Sequence, residues 1–185
     1  MDNRIIQVEL DVDSITEDIV QRFGELTSEQ INWKPAAESW SVGQCLDHLI
    51  KTNEIYSVDI NGAAKGTRGF SLLEKISPLS GFFGKLLIKA MDNDEKKVKT
   101  SDRFVPPSSI DANVVELFAN SQEKLKETVR STAELDWQKT ILTSSFMKIV
   151  TYSLADAFTI ITKHQRRHMR QAERVMKLEQ FPGRG

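Results

Sequence analysis

The chain has few of the residues that would place it in a specialised class. Its single cysteine, Cys45, cannot form an internal disulfide, and the N-terminal MDNRIIQVEL lacks the charged-then-apolar pattern of a signal peptide. We therefore expect a reducing, cytoplasmic location. No apolar run reaches the roughly 18 residues of a transmembrane helix, so no membrane is expected. The 25 basic residues balance 26 acidic ones, which argues against a dedicated nucleic-acid binder.

The length of 185 residues predicts one domain, residues 1–185, that can bury a core without disulfides. Two helices are predicted in its first third. One begins near Ser14, which forms a capping box with Glu17, and the next begins at Ser41, paired with Gln44, and ends at residues 61–62. The apolar stripe predicted for the first helix is Ile15, Ile19, Val20, Phe23 and Leu26.

Two further helices are predicted in the second half. One runs from about residue 111 to 132, and the last begins at Ser153, capped with Asp156, and stops before residues 181–183. Two connections complete the pattern. The connection 61–110 contains a semi-apolar piece at 72–91, where one or two short helices are expected, and a lysine-rich piece at 93–101 that predicts a solvated strap. The connection 133–152 has only a short strand pattern around 140–150.

Histidine spacing is the strongest chemical signal in the sequence. His164 and His168 lie four residues apart on the core side of the last helix, while its basic residues occupy the other face. Residues at this spacing have Cβ atoms about 5–6 Å apart, which lets two imidazoles reach one Zn²⁺ at about 2.0–2.1 Å. The only other histidine, His48, lies beside the apolar stripe of the second helix, where a bundle can bring it to the pair.

Three neutral imidazoles would leave at least one coordination position for water or substrate. The alternative for the pair is two surface or core histidines without a metal. Considered alone, a histidine such as His48 is more often a hydrogen-bonded residue at the edge of the core than a metal ligand.

Two segments resemble the DinB-like superfamily of small bacterial metalloproteins. Residues 32–56, NWKPAAESWSVGQCLDHLIKTNEIY, are similar to its tryptophan-serine helix start followed by a ligand histidine, and residues 164–175, HQRRHMRQAERV, to its paired-histidine final helix. The resemblance covers nearly the whole chain. It implies an all-α fold, a four-helix bundle with up-down-down-up topology and a long connection between helices two and three. It also implies a divalent metal held by His48, His164 and His168.

The activity that the resemblance implies is less specific than the metal. Relatives include thiol S-transferases that use bacillithiol or mycothiol, a thiol-dependent isomerase and proteins classed as hydrolases. We expect a metal-dependent thiol S-transferase or hydrolase with a small-molecule substrate, a low-molecular-weight thiol being one candidate. Zinc or nickel is the expected metal, because imidazole suits both, and a homodimer is the expected assembly. No catalytic residue is identified, and the alternative is a non-catalytic metal-binding or small-ligand-binding protein.

Several other residues allow two interpretations. Cys45, one turn from His48, is a small buried hydrophobe or a reactive thiol, and the first is the commoner case. Trp33 and Trp40 flank a helix start, where large aromatics anchor packing more often than they line a pocket. Gln165 and Gln171, close to the paired histidines in sequence, are candidates to orient a ligand or a metal-bound water.

Overall fold

The computed structural model describes residues 2–67, 80–92, 104–145, 147 and 149–183. Within these ranges the chain forms six α-helices and one β-hairpin. In chain order the elements are α1 (Asn3–Phe23), α2 (Ser28–Asn32), α3 (Val42–Ala64), α4 (Ser80–Met91), α5 (Val114–Arg130), β1 (Ile141–Thr143), β2 (Thr151–Ser153) and α6 (Leu154–Met176). The four predicted helices correspond to α1, α3, α5 and α6, and the all-α prediction is confirmed. Every helix of the described ranges is too short or too polar to cross a bilayer.

The four long helices form a bundle in which α1 and α3 each pack against both α5 and α6. Side-chain pairs give the direction of α3 relative to α5. The amide of Asn53 bonds to Gln122, and further along both helices the amide of Asn61 bonds to Thr128. Because both partners advance in the same sense, α3 and α5 run parallel to each other.

Ion pairs give the direction of α1. Its partners on α5 follow in reverse order along the chain, since Glu9 pairs with Arg130 while Asp13 pairs with Lys126. Its partners on α6 advance with it. The pairs are Asp11 with Arg166 and Arg22 with Glu173. The helices α1, α3, α5 and α6 therefore run up, down, down and up, as predicted.

The prediction for the start of α1 is wrong. The helix begins at Asn3, capped by Asp2, whose carboxylate accepts a hydrogen bond of 2.9 Å from the Arg4 backbone N–H. Ser14 lies inside the helix and is exposed, and so is Val20, which the predicted stripe had placed inward. The residues of α1 that are buried are Ile5, Val12, Ile15, Ile19 and Phe23. The buried face of α1 therefore begins at Ile5, well before Ser14, where the local capping signal had placed the start of the helix.

The starts of α3 and α6 agree with the prediction. Ser41 Oγ accepts a hydrogen bond from the Gln44 backbone N–H at 3.1 Å, and Gln44 Oε1 accepts one from the Ser41 N–H at 3.2 Å. At α6, Ser153 Oγ accepts from the Asp156 N–H at 3.0 Å. Both caps satisfy N–H groups that a helix N-terminus otherwise leaves without partners.

The ends of α3 and α6 were predicted less accurately than their starts. α3 continues through residues 61–62 to Ala64 and is followed by Gly66, whose positive φ of 64° suits glycine. α6 stops at Met176, ahead of the predicted stop at 181–183. A local asparagine-glycine or proline signal therefore marked the neighbourhood of each end without marking its residue.

The connections contain more structure than the sequence pattern showed. α4 is a helix of the kind expected at 72–91, and residues 68–79 and the predicted strap at 93–101 lie outside the described residues. α4 packs on the start of α6, where a side chain at Gly84 would collide with the carboxylate of Asp156. The short helix α2 was not predicted. The hairpin pairs Leu142 with Tyr152 in antiparallel register and leads directly into α6.

Candidate metal centre

The bundle brings all three histidines together. His48 lies on α3 one turn after its capping box, and His164 and His168 lie one turn apart on α6. One ring nitrogen of each residue lies within 4.8 Å of those of the other two. The ring centroids are 5.2 Å apart for His48 and His164, 4.7 Å for His48 and His168, and 4.6 Å for the pair on α6. Their role as metal ligands is a prediction that this convergence supports.

The spacing of the nitrogens fits a divalent metal. His48 Nε2 and His164 Nε2 are 3.4 Å apart. Two nitrogens that each lie about 2.1 Å from a tetrahedral Zn²⁺ are separated by about 3.4 Å. The two imidazoles therefore already have the separation that a shared tetrahedral ion requires.

A backbone carbonyl fixes the orientation of the His48 ring. His48 Nδ1 lies 3.1 Å from the carbonyl oxygen of Phe104, which can only accept, so Nδ1 carries the proton and donates. The Nε2 atom then has a free lone pair, and it faces His164. This is the arrangement of metal-binding histidines, whose second nitrogen donates to a carbonyl or carboxylate that fixes the tautomer.

Burial keeps the three imidazoles neutral. His48 is only 5% exposed, whereas His164 and His168 are partly exposed. Loss of hydration lowers the pKa of His48, and the hydrogen bond that His48 donates to Phe104 O opposes this shift. Loss of hydration also lowers the pKa of His164 well below 6.5 and that of His168 to about 3. The neighbouring histidines and Arg167 lower both pKa values further, whereas a hydrogen bond with the Gln171 side chain partly opposes the shift of His168. Neutral imidazole is the form that binds a metal.

These shifts predict how the stability of the metal-free protein depends on pH. His168 becomes protonated near pH 6.5 in the unfolded chain but only near pH 3 in the folded protein. The free energy of unfolding should therefore fall as pH drops through this window. One histidine contributes a slope of at most about 1.4 kcal/mol per pH unit. The free energy of unfolding, measured with urea in the presence of EDTA, should therefore fall more steeply from pH 6.5 to 4 for wild type than for His168→Gln. Carboxylate titration is common to both proteins, so parallel profiles would contradict the depressed pKa.

Trp40 lies against the histidines, and Trp33 does not. The Trp40 ring stacks on His168 at 5.6 Å with an interplanar angle of 21° and lies 5.0 Å from His48. Trp33 instead meets Phe181 edge-on at 5.6 Å, as a packing anchor. Trp40 therefore forms one wall of the candidate centre, a role that its position before a helix start could not distinguish from packing.

Cys45 takes no part in the centre. Its side chain is fully buried in the apolar core, and burial raises the pKa of the thiol to about 12. It is therefore a protonated core residue at neutral pH, as the commoner interpretation of its sequence position held. In the described ranges, the cluster of potential ligands contains imidazoles alone and neither a carboxylate nor a thiol.

Gln165 does not orient a ligand, contrary to the sequence-based suggestion. It lies in a buried amide network that joins three helices, in which its Nε2–H donates to Asn53 Oδ1 and Gln122 Oε1, both at 2.8 Å. Gln122 Nε2–H donates in return to Gln165 Oε1 at 3.2 Å and to the Val12 carbonyl of α1 at 3.4 Å. All three amide residues are at most 2% exposed. No local signal could have found this network, because its members come from α3, α5 and α6.

Two surface clefts lie away from the histidines. A cleft of about 590 Å³ runs between α3 and α5, and one of about 730 Å³ between α1 and α6. None of the three histidines lines either cleft. The candidate centre is therefore separate from both clefts, and two of its residues, His164 and His168, are partly exposed.

Four long helices around three convergent, neutral imidazoles define a helical-bundle protein with a site that could hold a metal ion. The sequence model of the DinB superfamily matches residues 12–172, which include all three histidines. The chain therefore belongs to the DinB superfamily, as its two motifs indicated. No curated protein and no solved structure matches it.

Proposed function

We propose that the protein is a metal-dependent enzyme that binds zinc or nickel through His48, His164 and His168 and catalyses transfer of a small thiol to an electrophile. The observation that carries the proposal is the convergence of three neutral imidazoles without a fourth protein ligand in the described cluster. Closed structural zinc sites have four protein ligands, whereas catalytic sites have three and keep one position open.

A metal at this site would supply Lewis acidity, which lowers the pKa of a thiol or of water. The chain's own residues supply the rest of the arrangement. Phe104 O holds the proton of His48 on Nδ1, and burial keeps the rings of His164 and His168 neutral, so that each has one nitrogen with a free lone pair. The ring of Trp40 lies against His48 and His168 and closes one side of the cluster. Thiol transfer suits such a site, because a thiolate needs no separate base once its pKa is lowered.

Two other functions remain as alternatives. Hydrolysis uses the same open position, with water in place of the thiol. A non-catalytic metal-binding or ligand-binding protein is favoured by one observation: within the described residues, no carboxylate joins the histidines to act as a general base.

The proposal also includes a homodimer in a bacterial cytoplasm, and light scattering of the purified protein tests the dimer.

We expect the zinc-loaded protein to accelerate attack of a low-molecular-weight thiol on an electrophile such as an aryl halide at pH 7. Lowering a thiol pKa from about 8.5 to below 7 raises the thiolate fraction by at least about tenfold, before any gain from positioning. The His164→Ala variant should lose this acceleration. Cys45→Ala should retain it, since that thiol is buried and protonated.

The measurement is the initial rate across a panel of thiols for wild type, both variants and a chelated sample. Equal rates in all four samples would exclude the transferase function. Acceleration of ester or amide hydrolysis in the same samples would then select the hydrolase, and a bound metal without either activity would select the binding protein.

A further inference from the structure

Residues 104–110, which we call the inner strap, lie along the face of α3 that carries His48. Phe104, Pro106 and Ile110 are buried, while the residues between them are exposed. At Gly43 an added Cβ would lie 3.0 Å from Ile110 Cβ, which shows how closely the inner strap approaches α3. The contact is therefore a packed interface rather than a loose crossing.

Three polar side chains hold the inner strap to the bundle. Asn32 clamps its end through two bonds to the backbone of Ile110, one accepted at 2.7 Å and one donated at 2.8 Å. Gln44 Nε2–H donates to the Pro107 carbonyl at 2.9 Å, and His48 Nδ1–H donates to the Phe104 carbonyl at 3.1 Å. The last two donors lie one turn apart on α3 and contact carbonyls three residues apart on the inner strap.

Gln44 has no freedom to turn its amide. Its Oε1 accepts from the Ser41 N–H in the capping box, which leaves Nε2–H to donate to Pro107 O. The side chain is 4% exposed, so water does not replace either bond. The position of the inner strap is thereby tied to the first turn of α3.

We infer that Gln44 is a positioning residue for the metal centre, acting through the Phe104 carbonyl on His48. By holding the inner strap at Pro107, it keeps Phe104 O where it fixes the Nδ1–H tautomer and aims Nε2 at His164. The inference deepens the proposed function and rests on it for the metal, although the tautomer of His48 does not require a metal.

The chain contains a chemically matched control. Gln30 occupies the same position in the capping box of α2, where its Oε1 accepts from the Thr27 N–H at 2.9 Å. Its Nε2–H donates to the Pro182 carbonyl at 3.0 Å. Gln30 thus makes the same two bonds, including one to a proline carbonyl, but it holds no strap that contacts a histidine.

The test compares Gln44→Glu with Gln30→Glu. Glutamate can still accept the capping bond but cannot donate to a proline carbonyl. We expect Gln44→Glu to bind Zn²⁺ about 10- to 100-fold more weakly, the range for loss of a group that orients a ligand, and to alter the visible spectrum of the Co²⁺ form. Gln30→Glu should leave both unchanged. The pair Gln44→Met and Gln30→Met repeats the comparison without a new charge.

A second measurement does not depend on metal uptake. In the metal-free protein at pH 8, imidazole ¹⁵N shifts should show Nδ1–H on His48 in wild type and Gln30→Glu, and a shift towards Nε2–H in both Gln44 variants. Retention of the Nδ1–H form in folded Gln44 variants would overturn the inference whether or not wild type binds metal. Failure of wild type to bind Zn²⁺ or Co²⁺ would instead count against the proposed function, and the tautomer alone would then decide the inference.

Discussion

Replacing His164 with alanine should lower the affinity for a divalent metal by a factor on the order of 10²–10³ and leave the helices intact. Four-ligand structural zinc sites bind with about 10–16 kcal/mol, so one ligand is worth roughly 2.5–4 kcal/mol. The helices should persist because the apolar core extends along the bundle on both sides of the histidines. The largest fully buried side chains of that core are Phe23, Phe118 and Phe158.

The measurements are elemental analysis after metal add-back, competitive titration with a chromophoric chelator, and circular dichroism. Wild type should hold about one Zn²⁺ or Ni²⁺ per chain, and Cys45→Ala should hold the same, because Cys45 lies near His48 in sequence but outside the ligand cluster. Less than about a tenth of an equivalent in wild type would refute the metal centre. Unfolding of chelated wild type at room temperature would show that the metal is a structural element, and the enzyme proposal would lose its main support.

Replacing Gln122 with leucine should destabilise the protein by about 2–4 kcal/mol, although leucine is the more hydrophobic residue. Gln122 is fully buried and exchanges hydrogen bonds with Asn53, Gln165 and the carbonyl of Val12. Leucine would leave Gln165 Oε1 without its donor and remove one acceptor from each of the two remaining amides. A buried polar group without a partner costs about 1–3 kcal/mol.

Thermal unfolding should show a melting temperature about 5–15 °C lower for Gln122→Leu, given the size of the chain. The control is Gln21→Leu, a change of the same chemistry at an exposed position of α1, which should stay within about 0.5 kcal/mol of wild type. A Gln122→Leu protein as stable as wild type would show that the amide network can be replaced by apolar packing, as some buried polar groups can.

Local sequence signals predicted the parts of the fold that local chemistry decides. The capping signals at Ser41 and Ser153 marked helix starts correctly, because each bond joins residues within one turn. The same pattern at Ser14 marked a false start. There the helix is continuous because Ile5 and Val12 bury against the bundle, and this tertiary contact outweighs a cap.

The residues of the candidate site also fall into those that a local sequence signal predicts and those that only the fold brings together. The spacing of His164 and His168 is a one-turn property that the sequence displays directly, whereas the approach of His48 needed the family resemblance. Trp40, Phe104 O and Gln44 join the site through contacts between segments far apart in sequence. Nothing in their local pattern distinguishes them from ordinary packing and capping residues, so only the fold could identify them.

The stacking of Trp40 on His168 gives the protein an intrinsic optical probe. Of the three tryptophans, Trp33 packs on Phe181 and Trp137 on Phe158, so the indole of Trp40 is the one in contact with the histidine rings. Open-shell Ni²⁺ quenches the emission of a neighbouring excited indole, whereas closed-shell Zn²⁺ has no such electronic route. Titration of the metal-free chain with each ion should therefore lower its fluorescence with Ni²⁺ and not through this route with Zn²⁺, and Trp40→Phe gives the reference emission of the other two tryptophans.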